Sequence, residues 1–316
     1  MPEVSNRTLL RPLALASLTA NIALVVTGAA VRLTGSGLGC PTWPRCTEES
    51  YTTTPEMGIN GVIEFGNRVL GIVLGLIALA CFVAALLERP RRTSLVVLAL
   101  VAGLGIPGQG VIGGITVLTD LNPWVVGLHF LLSMALIAVT YALWKRTFEG
   151  DRPRRSLVPA PLPALARLTA VVSAAVLVLG VVVTGSGPHA GDENAKRNGL
   201  DPEAISQAHA DAVFLLIGLS VALWFALRAV RAPGAAIRAA GLLVVVELAQ
   251  GLIGFVQYFT HLPVLLVGAH MLGACLVWVA TLNVLWRLRE RPFHEPPAAP
   301  LPAEHPTTAP APAPVA

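Results

Sequence analysis

Long apolar runs, separated by short polar connectors, dominate the pattern of the chain. A helix that crosses a bilayer needs roughly 20 mostly apolar residues, and eight runs reach that length. The first run is long enough to remain in the membrane and has no clear cleavage site, so we interpret it as a span and not as a signal peptide. The predicted spans are residues 12–31, 62–87, 94–118, 124–144, 166–185, 205–230, 236–259 and 263–287. We therefore expect an all-α integral membrane protein with eight transmembrane helices.

The composition agrees with this pattern. Of the 316 residues, 54% are hydrophobic and 13% are charged, whereas about 25% of residues are charged in an ordinary soluble domain. Little sequence remains for a soluble domain. Residues 291–316 are rich in Pro and Ala and poor in large apolar residues, so we expect a disordered tail there.

The basic residues predict an orientation. If both termini and the second, fourth and sixth connectors share one side, all but five of the 22 Lys and Arg lie near that side. The exceptions are Arg32, Arg45, Arg68, Lys196 and Arg197. The positive-inside rule then predicts a multi-pass plasma-membrane protein with cytoplasmic termini and an extracytoplasmic first connector. The net charge of +4 follows from this topology and gives no indication of a nucleic-acid partner.

The two halves of the chain repeat each other. "QGVIGGITVLTDLNPWVVGLH" (109–129) aligns without a gap on "QGLIGFVQYFTHLPVLLVGAH" (250–270), and "VVTG" at 25–28 recurs at 182–185. We predict two tandem, pseudo-symmetric four-helix bundles, related by an axis along the membrane normal. The predicted divisions are a cytoplasmic N-terminus (1–11), an N-terminal bundle (12–147), a cytoplasmic linker (148–165), a C-terminal bundle (166–290) and the tail (291–316).

Three histidines fall at similar depths in even-numbered spans. His129, His209 and His270 each follow the start of a span by about four to seven residues. A single intramembrane histidine is often bonded to a neighbouring carbonyl, but three at matched depth on related helices favour a shared function. Paired imidazoles on facing helices are typical axial ligands of a haem iron that transfers electrons. His209 and His270 fit that pattern in the C-terminal half.

The N-terminal half differs at the matching positions. Asn67 stands where symmetry would place a fourth histidine, and Glu64 lies one turn earlier on the same face. Ser206 replaces Glu64 in the other half. Glu64 is either a solvated cap at the helix start or a group directed at a bound molecule, and the asymmetry favours a substrate site. Arg68 either pairs with a propionate or extends to the interface.

Other polar residues in the spans have structural explanations. We expect Gln109 and Gln250 to form hydrogen bonds across helices, with support of a ligand as the alternative. Cys81 and Cys275 are interpreted as small core residues. We assign no role to Glu247.

The combined features resemble the haem A synthase family. The resemblance rests on the connector "VRLTGSGLGCPTWPRC", the "EF" and Arg of the second span, the "GLH" and "GAH" spans and the four-plus-four duplication, and it covers about residues 15–287. It implies oxidation of the C8 methyl of haem O to a formyl group through an alcohol, with a permanent haem b cofactor. By position, His209 and His270 would ligate haem b, His129 the substrate iron, and Glu64 would be catalytic.

The resemblance also implies partners. Haem O is the substrate and haem A the product, so a haem O synthase and the assembly factors of cytochrome c oxidase are expected neighbours. Membrane lipids surround the protein, and the sequence leaves the oligomeric state open, a homo-oligomer included. It also leaves open the electron acceptor and the source of oxygen.

The chain departs from the commonest pattern of the family at two places. Asn67 replaces a second substrate-side histidine, so we hypothesise a substrate haem that is five-coordinate or weakly bound by the amide. The third outer connector has no cysteine pair. Cys40 and Cys46 of the first connector are close enough in sequence to form a disulfide, either as a structural staple or as a redox pair.

Two other functions are compatible with paired histidines. One is a di-haem membrane cytochrome that carries electrons from quinol to an outer partner. The other is a haem-binding carrier without chemistry. Glu64 beside a position without histidine favours the synthase, because an electron carrier gains nothing from opening one site.

Overall fold

The computed structural model describes residues 7–293, and this part of the chain contains eight long helices. All eight are long and apolar enough to cross a membrane. They are α1 (Arg7–Leu33), α2 (Gly58–Leu87), α3 (Thr93–Leu118), α4 (Pro123–Arg146), α5 (Pro161–Ser186), α6 (Pro202–Ala229), α7 (Gly234–Phe259) and α8 (Val264–Arg287). The predicted all-α membrane fold is confirmed. The predicted start and end of each span lie within five residues of the start and end of the corresponding helix.

Local sequence signals fix where several helices begin. The side chain of Asn122 accepts a hydrogen bond from the backbone N of Trp124 at 3.0 Å, and Pro123 follows at the first helical position of α4. Asp201 accepts a bond from the backbone N of Glu203 at 3.0 Å at the start of α6. These caps satisfy backbone donors that have no partner inside the helix.

The sequence repeat is also a backbone repeat. Helices α3 and α7 begin and end 141 residues apart, and so do α4 and α8. The connectors between them share an unusual conformation: Asp120 and Leu121 have φ values of 50° and 57°, and the matching His261 and Leu262 have 63° and 59°. Left-handed non-glycine pairs are uncommon. Their recurrence at equivalent positions shows that the two segments fold in the same way.

Neighbouring helices pack in two rings. Helix α1 contacts α2 and α4, and α3 contacts α2 and α4; α5 contacts α6 and α8, and α7 contacts α6 and α8. Between the rings, α8 contacts α1 and α4, and α4 contacts α5. The division into two bundles at residues 147 and 166 stays a prediction.

A shared core joins the two rings. Ile137, Tyr141 and Cys275 are buried there in one cluster. The Tyr141 hydroxyl donates to Oδ1 of Asn283 at 3.1 Å, so the buried phenol keeps a polar partner. Cys275 in this cluster and Cys81 in the core of the first ring are both free and buried, which confirms that they are core residues.

The two ends of the helical bundle carry different features. The disulfide end is the end where α2, α4, α6 and α8 begin, and it carries the connector with Cys40 and Cys46. The basic end is the opposite end, where the same four helices stop.

The linker is more ordered than the sequence indicates. Two short strands pair antiparallel at the basic end, β1 (Arg155–Ser156) in the linker and β2 (Arg289–Glu290) after α8. The backbone N of Gly150 donates to the carbonyl of Arg291 at 3.0 Å, so the start of the predicted tail lies against the linker. Residues 294–316, where the rest of that prediction falls, lie outside the described residues. Such long-range pairing leaves no local pattern in the sequence.

Buried arginines tie the linker to the first ring. Arg146, which ends α4, bonds to Oε2 of Glu149 at 2.9 Å and to Oδ1 of Asp151 at 2.6 Å. Arg92 bonds to the other oxygen of Asp151 at 3.0 Å. Partial burial acts to raise the pKa of Asp151, but hydrogen bonds from Arg92 and Ser94 and the charges of both arginines outweigh it and lower the pKa. We call Arg92, Arg146, Glu149 and Asp151 the arginine clasp.

Candidate functional site

Two of the three intramembrane histidines rest on glycines at equivalent positions. The imidazole of His129 on α4 lies against Gly113 of α3, and that of His270 on α8 lies against Gly254 of α7. A Cβ atom on either glycine would lie 3.2 Å from the ring Cε1, closer than the 3.5–4.0 Å of an ordinary carbon contact. Glycine therefore provides the space for each ring.

The third histidine, His209, also packs against a glycine, but Asn67, its counterpart in the N-terminal half, has no glycine at the matching position. His209 lies against Gly180 of α5, where a Cβ would be 3.3 Å from Cε1. When the "VVTG" segments are aligned, Ala23 of α1 matches Gly180. Asn67 instead accepts a 2.7 Å hydrogen bond at Oδ1 from the hydroxyl of Thr27. The N-terminal half lacks both the fourth imidazole and the glycine that would support it.

Two glutamines hold the helices together at the histidines. Gln109 Nε2 donates to the carbonyl of His129 at 3.2 Å, and Gln250 Nε2 donates to that of His270 at 2.8 Å. Both bonds join an odd helix to the next even helix. The prediction that these residues form hydrogen bonds across helices is confirmed.

The ring nitrogens are suited to a ligand. Nδ1 of His129, His209 and His270 is buried and has no hydrogen-bond partner among the described residues. Buried polar atoms are rarely left in this state unless something else satisfies them. His209 and His270 lie on α6 and α8, which are not packed neighbours.

The donor set fits haem better than a bare metal ion. In residues 7–293, no group of three or more His, Cys, Asp or Glu is close enough to hold an ion by itself. A porphyrin supplies four ligands to its iron, so one or two imidazoles from the protein suffice. The residues present therefore fit a haem group.

Glu64 is a buried carboxylate at the disulfide end. Its side chain accepts a 2.5 Å hydrogen bond at Oε2 from the backbone N of Cys40. Oε1 accepts bonds from Nη2 and Nε of Arg68 at 2.5 Å and 3.2 Å. Only 6% of the residue is exposed, so the alternative of a solvated helix cap does not describe it.

Arg68 is bonded to the first connector as well as to Glu64. Its Nη2 donates to the carbonyls of Cys40 and Thr42, both at 3.1 Å, and Nη1 donates to that of Arg45 at 3.1 Å. The residue pattern predicted either a propionate partner or extension to the interface for Arg68, and it did not predict the ion pair with Glu64. The spacing of four residues between Glu64 and Arg68 was the available signal.

The first connector forms a disulfide and lies directly on α2. Cys40 and Cys46 are joined by an S–S bond of 1.99 Å. Gly39 and Gly61 allow the close approach: a Cβ on Gly39 would lie 2.8 Å from the backbone N of Gly61, and one on Gly61 would lie 3.3 Å from the carbonyl of Gly39. This contact brings the Cys40 N–H to Glu64.

Trp43 extends the connector over α3. Its indole lies on Gly114, where a Cβ would be 2.5 Å from Cε2 and 2.6 Å from Cγ. Gly114 follows Gly113, which supports His129. The disulfide connector therefore covers the same part of the N-terminal half that contains Glu64 and His129.

The third outer connector, between α5 and α6, binds the first connector and has no contact with the histidine rings among the bonds described. The Gly37 backbone N donates to the carbonyl of Gly191 at 2.8 Å. Arg32 donates to the carbonyls of His189 and Thr184, the latter at 2.6 Å. His189 Nε2 is bonded to the carbonyl of Leu262 at 2.9 Å. These bonds link the connectors at the disulfide end.

A family model covers the residues just described in the N-terminal half. The COX15-CtaA model, described as cytochrome oxidase assembly protein, matches residues 11–191, more than half of the chain. This chain belongs to the COX15-CtaA family. The match includes Cys40, Glu64, Asn67 and His129, and it confirms the resemblance found in the sequence.

Relatives of this COX15-CtaA member are called heme A synthase. One from Azorhizobium caulinodans is 28% identical over 83% of this chain and 88% of its own length. One from Methylorubrum extorquens is 31% identical over 52% of this chain and 51% of its own. One from Halalkalibacterium halodurans is 33% identical over 42% and 44%. Several matches thus span about half of the relative or less.

Proposed function

We propose that this chain oxidises the C8 methyl group of haem O to the formyl group of haem A, through an alcohol, in its N-terminal half. The observation that supports this best is the buried Glu64, fixed by the Cys40 N–H and by Arg68 beside a half-site with a single histidine. The name heme A synthase of the relatives supports the same reaction. The chain would be an oxidoreductase that supplies cytochrome c oxidase assembly.

The C-terminal half is proposed to hold haem b permanently. His209 and His270 would hold this haem, and Gly180 and Gly254 support their rings. The chemistry that haem b would supply when bound is electron transfer. Gln250 keeps α7 and α8 at a fixed separation through the His270 carbonyl, which positions one of the two imidazoles.

The N-terminal half is proposed to bind haem O through His129. The Asn67 amide oxygen is bonded to Thr27, which favours an iron with one strong protein ligand, either five-coordinate or weakly bound by the amide. A substrate must enter and leave, and a single imidazole holds it less tightly than two. The different ligand numbers would separate the exchanging substrate from the resident cofactor.

Glu64 is proposed to act at the methyl carbon. Oxidation develops positive charge there, and a fixed carboxylate in a region of low dielectric stabilises it or orients a water for attack. Its donors, the Cys40 N–H and Arg68, prevent the side chain from rotating away. Oε2 accepts a single bond and still has a lone pair for one more contact. Trp43 over Gly114 would keep bulk water out.

The proposed orientation follows the positive-inside rule. The basic end would face the cytoplasm together with both termini, and the disulfide end would face outside, where a disulfide persists. A haem O synthase in the same membrane would deliver the substrate. The oxidase assembly factors would receive haem A.

Pigment analysis tests the reaction. The purified protein, carrying haem b, is supplied with haem O and with an external electron acceptor in aerated buffer, which takes up the electrons that oxidation of the methyl group releases. Its haems are then extracted and separated. We expect haem A and the alcohol from the wild type, and haem O alone from Glu64→Ala. Glu203→Gln, at an exposed helix start, is the control and should behave as the wild type. Haem b alone would indicate a cytochrome, unchanged haem O in the wild type a carrier, and full haem A yield in Glu64→Ala would remove Glu64 from the mechanism.

A further inference from the structure

A small cavity lies between α7 and α8 at the basic end. Its volume is about 170 Å³. Two guanidinium groups, one from each helix, line it together with an amide and apolar side chains, and no carboxylate is among the lining residues. These residues are Ala235, Arg238, Ala239, Leu242, Asn283 and Arg287.

The repeat shows what the matching position binds in the N-terminal half. Arg287 ends α8 as Arg146 ends α4, 141 residues earlier. Arg146 is buried, and Asp151 and Glu149 of the linker neutralise it at 2.6 Å and 2.9 Å. Its Nη2 also donates to the hydroxyl of Ser94, which matches Ala235 of the cavity. The arginine at this position of the repeat therefore binds oxyanions.

The C-terminal copy has the cations but lacks the carboxylates. Within residues 7–293, Arg238 and Arg287 are exposed and form no ion pair or hydrogen bond with another residue. The acidic residue nearest in sequence, Glu290, lies in β2 and pairs through its backbone with Arg155. Arg238 stands where the first half has Val97, so this copy carries a second cation. Two unneutralised cations at one cavity favour an external anion.

The remaining polar group of the cavity also offers a donor. The Tyr141 hydroxyl donates to Oδ1 of Asn283 at 3.1 Å, which leaves the amide NH₂ for a ligand. The polar lining consequently provides N–H donors from Arg238, Arg287 and Asn283. Guanidinium groups match the geometry of phosphate oxygens, and their charge strengthens the bonds.

The shape of the cavity favours a lipid over free phosphate. Along α7 the lining changes from Arg238 to Leu242 one turn further toward the middle of the span, and Ala235 and Ala239 leave open space beside them. A ligand there would have an anionic group at the helix ends and an apolar part beyond it. We propose that this cavity binds the phosphate headgroup of an anionic phospholipid, which supplies the charge that Asp151 supplies in the other half.

Lipid retention tests this site, and neither the reaction nor the haem ligands enter the test. The full chain is purified from nanodiscs of mixed phosphatidylglycerol and phosphatidylcholine, and bound lipid is counted by native mass spectrometry. We expect selective retention of phosphatidylglycerol by the wild type. Retention should be about thirtyfold weaker in Arg238→Gln/Arg287→Gln, because each cation near a membrane surface contributes to the binding of anionic lipid. Arg167→Gln/Arg228→Gln removes two arginines of the same end elsewhere and should retain the lipid. Equal retention in both double variants would overturn the proposal.

A second variant keeps both arginines. Asn283→Asp places a carboxylate beside them, as Asp151 lies beside Arg146, and should displace phosphatidylglycerol without loss of the fold. Millimolar inorganic phosphate should leave the lipid bound to the wild type. If phosphate alone displaced the lipid, the site would bind free phosphate and the lipid assignment would be wrong. Unchanged lipid binding in Asn283→Asp would also contradict the site.

Discussion

The backbone N–H of Cys40 donates a 2.5 Å hydrogen bond to Oε2 of Glu64. Cys40 belongs to the disulfide connector and Glu64 to α2, so the bond joins the connector to the proposed catalytic carboxylate. Arg68 reinforces it, because its guanidinium bonds to Glu64 and to the Cys40 carbonyl. The position of the carboxylate therefore depends on the conformation of the connector.

Removal of the disulfide should impair the reaction more than the fold. We expect Cys40→Ser/Cys46→Ser to retain haem b and the helical circular-dichroism signal, with formation of haem A reduced about 100-fold, as for a displaced catalytic group. Pigment extraction and a haem b spectrum measure the two effects. If the disulfide acts through Glu64, adding Glu64→Gln should cause little further loss. Multiplicative losses would show an independent role, such as a redox pair.

The role of the glycines that pack against the imidazoles can be tested by comparing two substitutions on α7. In Gly254→Ala, the new Cβ would lie 3.2 Å from Cε1 of His270, so the ring must shift. Haem b should be retained about 10-fold to 100-fold less tightly, as for other changes that reorient a metal ligand. Gly251→Ala is the control, since nothing lies within 4 Å of its Cβ. Equal haem affinity in the two variants would show that Gly254 does not support a ligand.

Restoring the fourth histidine in the N-terminal half should change the ligands and the spin state of bound haem O. Asn67→His combined with Ala23→Gly supplies the missing imidazole and the space that Gly180 provides for His209. With haem O bound, we expect a second low-spin, bis-imidazole haem and slower turnover, because the substrate is held by two strong ligands. Asn67→His alone should show less of the low-spin form. An unchanged spectrum of the double variant would place Asn67 away from the iron.

The contact between Trp43 and Gly114 should hold the connector closed. Gly114→Ala places a methyl group where the indole lies, and such overpacking typically costs 1–3 kcal/mol. Hydrogen exchange of residues 36–46, measured by mass spectrometry, should accelerate. Gly103→Ala on the same helix meets nothing within 4 Å and is the control. Unaltered exchange in Gly114→Ala would mean that Trp43 does not fasten the connector.

The arginine clasp should make stability depend on pH. The pKa of Asp151 is lowered in the folded state, so its contribution is present at neutral pH and is lost as pH falls below about 4. Asp151→Asn leaves Arg92 and Arg146 without that charge. Because the Asp151 side chain is 46% exposed and is screened by solvent, the unfolding free energy should fall by about 1 kcal/mol at pH 7. Thermal melts of both proteins should converge on acidification. A constant difference at all pH values would assign the effect to packing.

Periodicity and spacing predicted most of the fold. The eight spans follow from apolar runs, and the repeat of residues 109–129 at 250–270 anticipated the matching connectors at Asp120 and His261. The pairing of β1 with β2 was not predictable, because residues 155 and 289 are distant in sequence and carry no strand pattern. The sequence predicted Glu64 and the histidines as site residues, and these assignments stay proposals. The bonds from Cys40 and Arg68 to Glu64 were not predictable, because they depend on how the connector folds back on α2.

Low-temperature EPR of the purified protein, loaded with haem b and haem O, examines the difference between the two halves directly. One low-spin bis-imidazole signal is expected, which disappears in His209→Ala or His270→Ala. A second haem with a single strong ligand is expected, which disappears in His129→Ala. Two bis-imidazole haems in the wild type, or a haem O signal that survives His129→Ala, would contradict the proposed asymmetry.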